Sequence, residues 1–340
     1  MLKKNLIHNM ISNKPIFITG IYRSGTTLIS RILDNHPDLN ITYDSVHFMR
    51  FSFEQYNPIN NESNYTNLIQ EIETRLSKRW KIEVNSKEII KKIKNEEINY
   101  AQVYSAIMSE LLLDNSNAKR WGEKTNMCWR KIPDFLEMFH DGKTIVMIRD
   151  PRDVLISFKN MTTEPGLRYL DSIFASLDSF QYTKKFQNEL SPKNFEIIKF
   201  EDLVNNPKKI IKNLCKFLEI EFKDTMLDST QFKDKSKNKW EGNSAFNKKI
   251  IGISKDTVGR WKNQISKIEL YFLEMILQEQ MINFGYSLES TSLNKNEHEK
   301  LFEILNDDFI KKRYQNWLKT GKGHENYPND PIKKAHDETK

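Results

Sequence analysis

The chain has 340 residues, of which 29% are charged and 38% hydrophobic, with a formal net charge of +7. It can bury a substantial α/β core with appendages, and its uninterrupted apolar stretches fall short of the ~20 residues of a membrane span, so no transmembrane segment is expected. The positive charge suggests an anionic ligand or surface, but lysine and asparagine are abundant throughout rather than in one block, so composition bias explains much of it and nucleic-acid binding does not follow. Cys128 and Cys215 lack C-x-x-C or Cys/His spacing, so no disulfide framework or zinc site is indicated.

The first dozen residues hold a broken apolar run, interrupted by Asn5, His8 and Asn9, too short for a signal peptide. A cytoplasmic protein is the expectation. From Pro15 to Leu33 a β-branched run breaks at Gly20, passes through Arg23, Ser24, Gly25, Thr26 and Thr27, and enters an amphipathic segment with Leu28, Ile29, Ile32 and Leu33. This reads as strand, tight loop and helix, a junction whose free amides and helix dipole suit a phosphate-like anion. The spacing nearly matches the P-loop pattern G-x-x-x-x-G-K-[ST], but Thr26 stands where the lysine belongs and Arg23 is the nearest cation. A purely structural turn is the alternative for this stretch taken alone.

Leu39 to Tyr43 reads as a second strand, ending at Asp44 and followed by His47. Asp44 lies beside the anion loop if this strand neighbours the first. About 57–120 is charged and helical, with Leu68, Ile72 and Leu76 on one face and Val103, Ile107, Leu111 and Leu112 on another. It reads as an inserted cap, with plain packing helices as the equal alternative. Trp121 to Thr125 reads as a short polar turn before a helical stretch through Trp129, Phe135 and Phe139, closed by Gly142.

Lys143 to Ile148 is the clearest buried strand, and it runs into Arg149, Asp150, Pro151, Arg152 and Asp153, with Pro151 suited to the first helical position and Ser157 two turns in. This is a second strand-to-helix junction with arginine at its mouth. Helix from Leu170 to Leu190, strand from Phe195 to Phe200 and helix through Ile210 to Leu218 complete an alternation that predicts a parallel sheet covered on both faces. Lys223 to Ser254 is irregular, Val258 to Lys262 sets a glycine before Arg260 and Lys262, and a helix follows from Ser266 to Asn283. Beyond Ser290 one amphipathic helix with Leu301, Phe302, Leu305, Phe309 and Trp317 is expected, solvated, before a disordered end.

Two arginine-bearing junctions on one sheet imply a ligand with two separate phosphate groups. In order along the chain from Pro15 to about Tyr286, YRSGTTLISRILDNHP, IVMIRDPRDVLISF, EIIKFEDLVNNP, VGRWKNQIS and NFGY resemble the landmarks of the sulfotransferase family that uses 3′-phosphoadenosine 5′-phosphosulfate (PAPS), in the style of its bacterial and tyrosylprotein branches. The resemblance implies a P-loop NTPase-like three-layer α/β sandwich over residues 1–290, and a C-terminal extension over 291–340. By the same resemblance Arg23, Ser24, Gly25, Thr26 and Thr27 would hold the 5′-phosphosulfate, Arg149 and Ser157 the 3′-phosphate, and the turn at Gly259, Arg260 and Lys262 would close over the nucleotide. No metal is required.

Counted from His36 and Pro37, Asp44 stands where the tyrosylprotein branch carries its carboxylate base, although glutamate is usual there. His47 is the competing base, and ordinary capping or packing roles are open for both. Lys124 aligns with a lysine that contacts the donor's bridging oxygen. Arg152 and Asp153 are expected to pin their turn. Phe200 stands where the family has tyrosine. The acceptor hydroxyl (carbohydrate, lipid, small metabolite or peptide tyrosine) is unspecified, and association into a homo-oligomer is compatible with this reading. A kinase-like P-loop phosphotransferase and a non-catalytic nucleotide-binding relative are the alternatives.

Overall fold

Ile16–Gly20 forms β1, fully buried, and it is followed by the helix α1, Thr26–Asp34. The computed structural model that shows this describes residues 14–93, 98–111, 118–160, 166–234, 238–240 and 252–323. Four further strands, β2 (Leu39–Tyr43), β3 (Arg120–Lys124), β4 (Lys143–Ile148) and β5 (Phe195–Lys199), join β1 in one sheet of order β2-β3-β1-β4-β5. Every pairing is parallel.

Strands covered on both faces read as nearly continuous apolar runs, because successive side chains enter different cores. Here Phe17, Val146 and Ile148 enter one core, and Ile16, Ile18, Ile145 and Met147 the other. The second core is closed by α1 together with the helices α8 (Phe200–Asn205) and α9 (Pro207–Leu218). The first is closed by α5 (Ile132–Met138), α6 (Pro151–Lys159), α7 (Asp171–Glu189) and α10 (Lys267–Asn283). The result is the expected P-loop-like three-layer α/β architecture.

The stretch Trp121 to Thr125 corrects the sequence reading. It is not a polar turn but the body of β3, which pairs with β1 on one side and β2 on the other. Consequently β2 does not touch β1, and Asp44 reaches the anion loop across β3. The polar sequence hid the strand because Glu123 and Lys124 are both fully buried, each satisfied by partners distant in sequence.

The insert between β2 and β3 is helical as expected, with α2 (Glu62–Trp80), α3 (Ser86–Ile93) and α4 (Tyr100–Leu111) burying Leu68, Ile72, Leu76, Val103 and Ile107 against the first core. Leu112 lies outside the described residues. The tail is also corrected: in place of one helix there are two, α11 (Lys295–Asn306) and α12 (Asp308–Thr320). Asp307 breaks them by accepting from the amides of Phe309 and Ile310, which caps α12. Nor is this pair simply solvated. Leu301 and Ile310 are buried, and Arg313 donates to Asp171 of α7 at 2.9 Å. The expected disordered end, 324–340, and part of the irregular segment, 235–237 and 241–251, fall outside the described residues. Among the described residues no helix is long and apolar enough to cross a membrane.

Candidate active site

The β1–α1 loop is wound tightly by Ser24, whose amide and hydroxyl both donate to the Ile21 carbonyl, at 3.2 and 2.7 Å. Arg23 and Gly25 adopt positive φ, 73° and 96°. At Gly25 nothing else fits, because a Cβ there would sit 2.3 Å from Cδ2 of Phe200. This turn delivers Thr26 and Thr27 to the N-terminus of α1, where they line a cavity with Arg23 and Arg149. Ser24, by contrast, is spent on the loop itself.

The second junction is built by local capping. Asp150 accepts from the Arg152 amide at 2.9 Å, Pro151 starts α6, and Arg149 is left at the strand end facing the first loop. Arg149 donates from Nη1 to the Arg23 carbonyl at 2.9 Å and from Nη2 to the Thr257 carbonyl, with its guanidinium 4.4 Å from the Phe200 ring centroid. Its Nε is buried with no partner among the described residues. Arg23 donates from Nε to Ser157 Oγ at 2.7 Å. Burial, and then the charges of Arg149 and Arg260, push the Arg23 guanidinium down to about 10. An Arg23 guanidinium disfavoured by burial and by its arginine neighbours, beside a helix N-terminus and an unsatisfied buried N–H, makes this a candidate anion site.

Arg152 and Asp153 take the pinning roles expected of them. Arg152 bridges Asp150 and Glu274 at 2.8 and 3.0 Å, while Asp153 accepts from the amides of Gly259 and Trp261 at 2.7 and 3.0 Å. The second pair of bonds ties the Gly259–Arg260 turn to α6, near enough for the Arg260 charge to act on Arg23, although the nearest residue in sequence that lines the cavity is Thr257. Lys262 is not brought in: its side chain is 60% exposed, with Nζ 3.8 Å from Glu289.

Across the cavity, Asp44 leaves β2 with φ 51° and its amide bonded to the Lys124 carbonyl at 2.9 Å. Its Oδ2 accepts from Lys124 Nζ, and its Oδ1 accepts from Asn126 Nδ2 at 3.0 Å. Lys124 is fully buried, and burial lowers its pKa against the opposing pull of Asp44. Far from a surface lysine, it is a desolvated cation held at the end of β3. His47 is placed differently. It is 4% exposed and packs on Phe51, and burial pushes its imidazole down to about 3, below any range useful for a base near neutral pH. Asp44 faces the cavity and His47 does not line it.

Sequence reasoning passed over Asn126. Its Oδ1 accepts from Thr26 Oγ1 at 2.7 Å while its Nδ2 holds Asp44, so one amide joins the anion loop to the carboxylate. Its signal was its place two residues after Lys124. Trp240 was also missed; it lines the cavity and lies 4.4 Å from the Arg31 guanidinium, in a segment with no periodicity to mark it.

Fold and site together define a P-loop-like α/β core whose candidate anion site is lined by arginine and a helix N-terminus in place of the P-loop lysine. The sulfotransferase family model matches residues 15–224, and the chain belongs to that family. Sulfuryl transfer is the function that this membership carries. The chain is 24% identical over 224 residues to a putative protein-tyrosine sulfotransferase of Caenorhabditis briggsae, covering 64% of this chain and 70% of that protein. It is 24% identical over 166 residues to a 3-beta-hydroxysteroid sulfotransferase of Cavia porcellus, covering 42% of this chain and 57% of the relative. In fold it is similar to the sulfotransferase domain of the Synechococcus PCC 7002 olefin synthase, with TM-score 0.57 and 19% identity over 81% of this chain and 96% of that one. The sulfotransferase domain from the curacin biosynthetic pathway gives TM-score 0.53 and 22% identity over 81% and 98%.

Proposed function

We propose that the chain moves a sulfuryl group from PAPS to an acceptor hydroxyl, with Asp44 as the base. The observation that carries this reading is the meeting of the two junctions: Arg149 bonds the Arg23 carbonyl while Arg23 bonds Ser157. Two cationic junctions in contact suit a ligand with two phosphate groups better than a linear triphosphate, and Thr26 at the P-loop lysine position argues against a kinase. The residues present fit the donor, because Arg149 Nε is buried and unsatisfied, and because burial, then the charges of Arg149 and Arg260, weigh against the Arg23 guanidinium in a way that a bound anion would offset. When bound, PAPS supplies the sulfuryl group and a phosphate leaving group. Arg23, Thr26 and Thr27 would hold its 5′ end, and Arg149 with Ser157 its 3′-phosphate.

Asp44 takes the acceptor's proton on its carboxylate. Lys124 orients that carboxylate and offers a buried cation where negative charge gathers, in surroundings that make it worth more than in water. Asn126 fixes the other carboxylate oxygen. The test is calorimetric titration with adenosine 3′,5′-bisphosphate against ATP–Mg²⁺, together with turnover by Asp44→Ala. The bisphosphate should bind and ATP–Mg²⁺ should not, and the variant should keep bisphosphate binding while losing ~10²–10⁴-fold in rate. Preference for ATP–Mg²⁺, or unchanged turnover, would overturn the reading.

A further inference from the structure

Glu123 precedes Lys124 on β3, so strand alternation sends its side chain to the opposite face. It is fully buried, and among the described residues no lysine or arginine pairs with it. What surrounds it is a set of donors. Its carboxylate accepts from the Tyr104 hydroxyl of α4, from Thr125 Oγ1 at 2.9 Å and from the His47 amide at 2.5 Å. A carboxylate without a cation is expensive to bury, and packing alone would be served better by an apolar side chain.

The segment it grips is the one that carries Asp44. Within a few residues Asp44 and His47 both hold positive φ, 51° and 55°. Such conformations persist in non-glycine residues only where the surroundings over-determine them. The same loop is held from its other side by Arg75 of α2, whose Nη1 donates to the Val46 carbonyl at 2.7 Å. Phe48 stacks flat on Tyr104, with centroids 4.0 Å apart and planes 4° from parallel.

We propose that Glu123 is a positioning residue for the transfer step: braced by Tyr104 of the helical insert, its carboxylate fixes the His47 amide and thereby holds Asp44 on Lys124 and Asn126. This rests on the reading of Asp44 as the base. It also makes the insert part of the apparatus that orients the base.

The test compares Glu123→Gln and Tyr104→Phe with Asp44→Asn. The readouts are turnover of PAPS with pooled phenol, tyrosyl-peptide, sterol and sugar acceptors, the affinity for adenosine 3′,5′-bisphosphate, and hydrogen exchange at the His47 amide. Glu123→Gln should lose kcat by about 10²-fold, the scale of a small misplacement of a reacting group, with bisphosphate affinity unchanged and the His47 amide exchanging faster. Tyr104→Phe should move the same way by less, and it guards against a Glu123 variant that fails to fold. In the Asp44→Asn background Glu123→Gln should cost nothing further, since it acts through Asp44. Loss of bisphosphate binding in parallel with kcat would mean a general structural role and overturn the inference. So would normal turnover in both clamp variants while Asp44→Asn is inactive. Normal turnover in Asp44→Asn would instead sink the reading of the base, and the inference with it.

Discussion

Arg149 Nη1 donates to the main-chain carbonyl of Arg23 over 2.9 Å, joining the end of β4 to a loop 126 residues away in sequence. Each junction alone presents an arginine at a strand-to-helix turn. Tied together, with Arg23 bonded onward to Ser157, they become one site with two centres of positive charge.

Arg149→Ala removes one of the two centres and its tie to the Arg23 loop. A hydrogen bond to a charged group contributes ~1.5–3 kcal/mol, so affinity for adenosine 3′,5′-bisphosphate should fall by roughly 10–100-fold. Affinity for adenosine 5′-phosphate should change far less. Calorimetry on both ligands decides the point: equal weakening would show that Arg149 supports the Arg23 loop without reading a second phosphate.

Gly25→Ala is penalised twice, by φ 96° and by the Phe200 ring 2.3 Å from the new Cβ. A non-glycine residue in such a conformation costs ~1–3 kcal/mol before the clash is counted. Thermal melting should show the loss, and bisphosphate binding should fall with it. Adding Phe200→Ala relieves the contact but not the dihedral, so the double variant should recover only in part. Full recovery would show that the backbone conformation is unstrained.

Asn126→Asp puts a second carboxylate at the position now 3.0 Å from Asp44 Oδ1. Like charges at that separation cannot both ionise easily, so the pair titrates with one value raised. If Asp44 is the base, the acid limb of the kcat profile should move to higher pH, leaving turnover low at neutrality and recovering as pH rises. An unmoved limb, measured from pH 5 to 9, would separate Asp44 from the proton transfer.

His47 supplies a stability prediction with a definite sign. Its imidazole is pushed down to about 3 by burial, whereas an unfolded histidine titrates near 6.5. Between those values the unfolded chain binds a proton that the native state refuses, so stability is full above about pH 6.5 and falls toward pH 3, by at most ~1.4 kcal/mol per pH unit. Asparagine tolerates the positive φ at this site, so His47→Asn should fold and show a shallower loss in urea melts at pH 7 and pH 5. Turnover near neutral pH should persist. An identical slope in variant and parent would mean that His47 is not the group responsible.

Where chemistry sits on a local signal, it is legible without coordinates. A β-branched run, a glycine and an amphipathic helix follow one another within twenty residues or so of chain, and the capping of α6 by Asp150 and Pro151 is equally local. The same holds for Gly25, although the Phe200 ring that makes it obligatory does not appear in any local pattern. The sequence by itself therefore determined the two strand-to-helix junctions, the parallel α/β class and the family.

Tertiary structure alone decided what stands opposite them. Trp121 to Thr125 reads as polar because hydropathy is a property of single residues, whereas the burial of Glu123 and Lys124 depends on Tyr104 and Asp44, which satisfy them. Once β3 is threaded between β1 and β2, Lys124 becomes the partner of Asp44, Asn126 the link between carboxylate and anion loop, and His47 a buried neutral ring. A buried charge is stable only beside its partner, and the partner's distance in space is information that spacing along the chain does not contain.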